Sequence, residues 1–373
     1  METPVLLLTG YLGSGKTTLV NRILSNRQGI RFAVIVNDIG EVNIDADLIQ
    51  KGGVVKQKDD SLVALQNGCI CCTLKMDLVN QLCDLIATGS FDYIVIEASG
   101  ICEPVPIAQT ICSIPGMPAA FTKNGIPRLD CVVSVVDALR LRDEFGCAKE
   151  LTRDNIDEED IENLIIQQIE FCDIVLLNKV DEVNEEELGQ IRAVIRAIQP
   201  TADIVECNYA DVPLQQILDT HRFNFDNASL SPAWIREIGK PVEDEEESEE
   251  VEEYGIGTYV YYRRRPFDIN KFDHFVMKQW PANIIRAKGI CWFSDNNDMS
   301  YIFEQSGRQK QLREIGQWYA TAPLEELEDL MMEDPTLAMD WDDEVGDRMI
   351  KLVFIGQNLD REKLARELDF CLD

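Results

Sequence analysis

Short apolar segments alternate with amphipathic segments from the start of the chain to about residue 225. The apolar segments are rich in β-branched residues and lack a period of two, as strands do when a parallel sheet buries both of their faces. Strands are therefore predicted at residues 5–9, 32–37, 93–97, 131–137 and 174–178. The amphipathic segments predict helices at residues 17–24, 76–86, 156–169 and 185–198. This alternation predicts an α/β fold with a largely parallel sheet.

The pattern changes beyond residue 228. The run from Glu243 to Glu253 is almost wholly acidic, and it repels itself and cannot bury a core, which predicts a solvated linker at 229–254. A cation-collecting tether is the alternative. Further strands are predicted at 257–262, 284–293, 299–305 and 349–355, with helices at 268–277 and 360–370. The expected organisation is an α/β domain at 1–228 and a smaller α+β domain at 255–373.

The charge of the chain narrows the classes of partner. Its 373 residues include 35 Lys and Arg against 67 Asp and Glu, a formal net charge of −32 at pH 7. Such a surface repels nucleic-acid backbones and anionic lipids, so we expect no nucleic-acid and no membrane partner. No apolar run approaches the roughly 18 residues that span a bilayer. Twelve cysteines without an export signal indicate reduced thiols and predict a cytoplasmic location.

A phosphate loop follows the first predicted strand. The segment Gly10-Tyr-Leu-Gly-Ser-Gly-Lys16-Thr17 matches G-x4-G-K-[ST] in a strand–loop–helix context, which predicts a P-loop NTPase domain. Its glycines let backbone N–H groups wrap an anion at the positive end of the following helix. Lys16 is expected to neutralise the β- and γ-phosphates, and the Thr17 hydroxyl to bind Mg²⁺. The predicted phosphate-binding residues are Gly10, Gly13, Ser14, Gly15, Lys16, Thr17 and Thr18.

A guanine-binding motif follows a later predicted strand. In Asn178-Lys179-Val180-Asp181, the Asp181 carboxylate can accept both guanine donors as a bidentate pair. Asn178 is expected to support the loop and the base contact, and the stem of Lys179 to cover the base. The alternative is that Asp181 caps a helix. Taken together with the phosphate loop, the motif predicts GTP binding.

Acidic residues end two further strands at the expected ligand-binding edge of the sheet. Glu97 is predicted to hold the Mg²⁺ shell, and the Gly100 amide to contact the γ-phosphate. Asp38 and Glu41 are candidate ligands for a metal or for Mg²⁺-bound water, and their alternative is a solvated turn. The predicted catalytic residues are Lys16, Thr17, Glu41 and Glu97.

Three cysteines lie within four residues in Gly68-Cys69-Ile-Cys71-Cys72. Thiolates favour soft or borderline ions such as Zn²⁺ or Cu(I). Because structural zinc sites use two separated Cys pairs, this compressed cluster predicts a three-thiolate metal site with a fourth position that is open or shared. A redox-active or merely buried cluster is the alternative.

These motifs, in this order, resemble the CobW family of metallochaperone GTPases, relatives of the HypB and UreG nickel-insertion proteins. Segments beyond the linker, including Ile285-Arg-Ala-Lys-Gly-Ile-Cys-Trp292, resemble the carboxy-terminal domain of that family. The resemblance implies a GTPase that delivers zinc, cobalt or a similar divalent ion to a client metalloprotein. Unlike many relatives, the chain has an acidic run rather than a histidine-rich tract at the domain junction.

Three other functions remain open at this point. The chain could be a metal buffer or redox sensor with vestigial GTP binding, or a GTPase that activates a cobalamin-dependent enzyme. The phosphate loop would also serve a small-molecule kinase, which would not need Asp181. The cofactors expected for the leading hypothesis are GTP, Mg²⁺ and Zn²⁺, with Co²⁺ as an alternative metal.

Overall fold

The computed structural model describes residues 2–25, 29–36, 62–64, 75–145, 159–225, 255–306, 309–323, 326–327, 331 and 341–373. These residues belong to two compact units, one up to residue 225 and one from residue 255 onward. The predicted acidic linker at 229–254 lies outside the described residues.

The first unit is built on a parallel sheet. Among its described residues the strand order is β3-β2-β4-β1-β5-β6-β7, and every neighbouring pair is parallel. The strands are β1 (Glu2–Thr9), β2 (Phe32–Val36), β3 (Leu62–Ala64), β4 (Tyr93–Glu97), β5 (Ile126–Asp137), β6 (Ile174–Asn178) and β7 (Asp203–Glu206). The predicted fold class is confirmed. Strand β5 begins five residues before the predicted start at residue 131. The prediction missed these residues because Pro127 and Arg128 interrupt the apolar pattern there.

Helices connect these strands. They are α1 (Lys16–Leu24), α2 (Lys75–Thr88), α3 (Pro104–Ser113), α4 (Ala119–Thr122), α5 (Ala138–Phe145), α6 (Glu159–Glu170) and α7 (Glu185–Ile198). The four predicted helices correspond to α1, α2, α6 and α7. Helix α3 was not predicted, because its two prolines suggest a loop. Proline is nevertheless tolerated in the first turn of a helix, where its missing N–H has no intrahelical partner.

Helix α1 is packed against one face of the sheet. Its Leu19, Val20 and Ile23 are fully buried in one cluster with Leu8 and Val135 from the two adjacent strands β1 and β5. Burial of such side chains contributes roughly 1.5–3 kcal/mol each. This packing fixes the start of α1 at the carboxyl end of β1.

The second unit is a five-stranded antiparallel sheet with helices. Its strand order is β11-β10-β9-β12-β8 in the described part of the chain. Its elements are β8 (Ile256–Arg263), α8 (Ile269–Lys278), β9 (Ile284–Trp292), β10 (Met299–Ser306), β11 (Gln309–Gln317), β12 (Ile350–Gln357) and α9 (Arg361–Phe370). Its core is aromatic: Phe267 stacks on Phe272 and Tyr261. The predicted α+β class is confirmed.

None of the helices in the described ranges is both long and apolar enough to cross a bilayer.

Candidate nucleotide-binding site

The phosphate loop joins β1 to α1, and two of its glycines are sterically required. Gly10 and Gly15 have φ of +135° and +115°. A Cβ on Gly10 would lie 2.2 Å from the carbonyl oxygen of Val135, and one on Gly15 would lie 2.4 Å from Nδ2 of Asn178. Any other residue would push the loop away from β5 and β6. Gly13, with φ +77°, has open space around it.

Two polar side chains of this loop are suited to an anion. The Lys16 ammonium is buried and donates to the carbonyl oxygens of Gly10 at 2.7 Å and Tyr11 at 3.2 Å. The Ser14 Oγ is buried and makes no hydrogen bond among the described residues. A phosphate oxygen would supply the acceptor that this hydroxyl lacks, and it would attract the ammonium. Thr18, by contrast, is exposed on α1.

Thr17 and Glu97, the two residues predicted to hold Mg²⁺, are in direct contact. The Thr17 hydroxyl donates to Oε1 of Glu97 at 2.9 Å. Glu97 ends β4 and is 1% exposed, and its strand position pairs with Leu8 of β1. A hydroxyl and a carboxylate oxygen are ligands of the kind that Mg²⁺ takes beside a phosphate. The donor set therefore fits this ion.

Gly100 lies directly against the phosphate loop. A Cβ on Gly100 would be 2.7 Å from the backbone nitrogen of Leu12. The chain before it is anchored to β1, because the Ala98 N–H donates to the Leu8 carbonyl at 2.9 Å. The structure thus brings together the phosphate loop and the segment that was predicted to contact the γ-phosphate.

Asn178 ties the guanine motif to the phosphate loop. Its side chain is buried, and Nδ2 donates to the Ser14 carbonyl at 2.8 Å while Oδ1 accepts from the Ala210 N–H at 2.9 Å. The Cys207 thiol also donates to Oδ1, at 3.5 Å. Burial raises the pKa of that thiol to about 11, so it stays protonated. Asn178 is thus held from both sides.

Lys179 and Asp181 project from the loop that follows Asn178. Lys179 has φ +61° and forms an ion pair with Asp137, which ends β5. Asp181 is exposed in a short 3₁₀ turn, and its N–H donates to the Asn208 side chain at 3.0 Å. The cap of α7 is Asn184 rather than Asp181. The carboxylate of Asp181 therefore does not have the helix-capping role that was its alternative.

Arg140 is a cation beside the phosphate loop that sequence patterns did not indicate. Its guanidinium lies 4.0 Å from the ring centroid of Tyr11. The backbone N–H of Arg140 donates to the side chain of Asp137, the partner of Lys179, at 3.2 Å. The contact with Tyr11 joins residues far apart in the chain, so no local motif marks it, whereas the contact with Asp137 spans three residues at the start of α5.

Five candidate residues lie outside the described residues. These are Asp38, Glu41, Cys69, Cys71 and Cys72. Eight other cysteines are described, and six of them are buried, as expected for core residues. Burial raises the pKa of Cys131 and of Cys172 well above the usual value, so these two are protonated thiols rather than metal-binding thiolates.

Asp130, Asp219 and His221 form the one group of three metal-capable side chains found in the described part of the chain. Asp130 is already saturated, because it accepts from the Tyr93 hydroxyl at 2.6 Å and from the N–H groups of Thr220 and His221. The buried carboxylate of Asp130 therefore joins chain segments, and both of its oxygens are already engaged in hydrogen bonds.

Comparison with known proteins adds independent information. Residues 4–206 match the family model described as CobW/HypB/UreG, nucleotide-binding domain, and residues 256–372 match the cobalamin synthesis protein cobW C-terminal domain. The "Zinc-regulated GTPase metalloprotein activator 1" of Dictyostelium discoideum is 34% identical over 388 residues, covering 100% of this chain and 80% of the relative. The "Zinc chaperone CobW" of Pseudomonas aeruginosa is 34% identical over 230 residues, covering 58% of this chain and 60% of the relative. The Zn(II)-bound YjiA GTPase from E. coli is 22% identical, with a TM-score of 0.44 and full coverage of both chains.

Proposed function

Because this chain belongs to the CobW/HypB/UreG family, we propose that it is a metallochaperone whose GTPase cycle controls delivery of zinc to a client protein. The chain is a P-loop GTPase. Zinc is the metal in the names of both relatives described above. Thiolates accept several divalent ions, so Co²⁺ is the alternative cargo.

The nucleotide half of the proposal uses the described site. Lys16, Ser14 and the N-terminus of α1 bind the phosphates, and Asp181 selects guanine. Thr17 and Glu97 would hold Mg²⁺, which would neutralise the negative charge that develops on the phosphates. Outside the described residues, Asp38 and Glu41 are proposed to complete the metal and water ligands.

The metal half of the proposal is supported by strand register. Glu97 pairs with Val36 of β2, and Val36 pairs with Ala64 of β3. Strands are about 4.8 Å apart, so the backbone of Ala64 is roughly 10 Å from that of Glu97 at the same edge of the sheet. The chain leaves β3 at Ala64, five residues before Cys69. The described end of β3 therefore lies near the predicted Mg²⁺ acid, and Cys69 follows it by five positions in the sequence, which favours coupling between cargo and nucleotide.

An anaerobic titration tests this coupling. Zn²⁺ and Co²⁺ affinities are measured on the full chain with GDP and with a non-hydrolysable GTP analogue. If the two sites are linked, the metal affinity should differ by about tenfold between the two nucleotides, and the metal should shift nucleotide affinity by the same factor.

Two variants give the controls. Lys16→Ala should remove the difference because it weakens triphosphate binding, whereas Cys112→Ser changes an exposed cysteine outside the cluster and should leave it intact. Equal metal affinities with both nucleotides in the unaltered protein would contradict the proposal.

A further inference from the structure

Gln168 is a buried amide that the catalytic scheme above does not use. It belongs to α6, in the crossover from β5 to β6, and is 1% exposed. Its Nε2 donates to the carbonyl oxygens of Gly100 at 3.4 Å and Cys102 at 3.3 Å. A fully buried amide needs such partners. Both partners are backbone atoms of the loop that follows Glu97.

The same side chain borders the phosphate loop. Gln168 lines a small cavity together with Tyr11, Leu12 and Ser14. A Cβ on Gly100, whose carbonyl Gln168 holds, would lie 2.7 Å from the backbone nitrogen of Leu12. The Gln168 amide therefore borders both the phosphate loop and the loop at residues 98–103, which is called the Gly100 loop below.

The geometry of the peptide bond shows which way the Gly100–Ile101 peptide is oriented by this contact. The carbonyl and N–H of a trans peptide point to opposite sides. Because the Gly100 carbonyl points inward to Gln168, the N–H of Ile101 in the same peptide points away from it. Ile101 is 50% exposed. The inner hydrogen bond therefore fixes the orientation of the Gly100–Ile101 peptide, which directly follows the Gly100 N–H that is predicted to contact the γ-phosphate.

We propose that Gln168 is a positioning residue that holds the Gly100 loop in the orientation that recognises the third phosphate of GTP. The inference rests on the proposed contact between Gly100 and the γ-phosphate. Removing the amide donor frees the loop while the phosphate loop keeps its own contacts. Affinity for a GTP analogue should then fall, and affinity for GDP should not.

The test is the ratio of GDP to GTP-analogue affinity in the full chain with Mg²⁺. Gln168→Met keeps the length of the side chain and removes the donor. Two lost hydrogen bonds, each partly replaced by water, should weaken analogue binding by about tenfold relative to GDP. If Gln168→Met does not fold, Gln168→Asn is used, because its shorter amide does not reach the two carbonyls.

Gln199 supplies a matched control. It is also a fully buried glutamine, and its Nε2 donates to the carbonyl of Glu170, the last residue of α6. Gln199→Met removes a comparable buried hydrogen bond that does not involve the loop around Gly100. It should lower stability and leave the affinity ratio unchanged. An equal change in the ratio for Gln199→Met would show a general structural effect and overturn the inference.

Gly100→Ala separates failure of the inference from failure of its premise. The added Cβ collides with the backbone of Leu12, so this variant should also lose preference for the GTP analogue. If Gly100→Ala changes the ratio and the Gln168 variants do not, the positioning role is wrong while the Gly100 contact stands. If neither changes it, both are wrong.

Discussion

At the scale of single residues, the site depends on polar side chains that are held by other polar groups. Asn178 is buried and spans the phosphate loop and the turn at Ala210. Asp181, three residues on, is exposed and is held only through its backbone among the described contacts. In the guanine motif, Asn178 therefore has a structural role, whereas the side chain of Asp181 is available to bind a base.

Replacing Asp181 should change the preferred base. In Asp181→Asn, the carboxylate that accepts two guanine donors is lost, so GTP affinity should fall roughly 100-fold. Xanthosine triphosphate has an oxygen where guanine has its amino group, and it should bind the variant better than GTP. Binding of both nucleotides, measured by competition, checks this.

Glu182→Gln is the control for charge, because Glu182 is also exposed and lies next to Asp181. It should leave GTP preference intact. A variant at Asp181 that still prefers GTP would contradict the role of this residue in selecting guanine.

At the scale of elements, a local signal marks helix α7, which was predicted, and no such signal marks strand β11, which was not. Helix α7 begins with Asn184 in a capping box with Glu187. Strand β11 was not predicted, because it is an edge strand with largely exposed side chains, such as Ile315 at 53%. Such a strand lacks the apolar alternation that marks a half-buried one, and its pairing with β10 specifies it instead.

Removing the cap of α7 should cost stability without changing nucleotide choice. The Asn184 side chain accepts from the Glu187 N–H at 3.0 Å, and the Glu187 carboxylate accepts from the Asn184 N–H at 2.9 Å. Asn184→Ala should lower the free energy of unfolding by about 1 kcal/mol, measured by urea denaturation. Asn184→Asp keeps an acceptor and should lose little. A change of base preference in Asn184→Ala would contradict the separation of the cap from Asp181.

At the scale of the whole molecule, each unit has a buried hydrophobic cluster of its own among the described residues. The nucleotide site belongs to the first unit. All five tryptophans, by contrast, lie beyond residue 233. Their fluorescence therefore reports on the later part of the chain, whereas far-ultraviolet circular dichroism reports on both units.

Nucleotide should stabilise the two units unequally. Because GDP binds only the folded first unit, saturating GDP at about 100 times its Kd should add roughly 2.7 kcal/mol to the stability of that unit. In urea, the circular dichroism transition of the first unit should move to higher urea concentration. The tryptophan transition should stay in place. An equal shift of both transitions would show that the units unfold as one.

The sequence by itself determined the parallel α/β class, the second α+β domain, the phosphate loop and the family. Each of these depends on patterns within a few neighbouring residues: β-branched runs, glycine spacing and short motifs. Only the tertiary structure decided that Thr17 meets Glu97, Asn178 meets Ser14 and Gln168 meets Gly100. These contacts join residues 80, 164 and 68 positions apart. The first two exist because parallel strands bring their carboxyl ends to one edge of the sheet, and the third exists because α6 packs against the loop that follows β4.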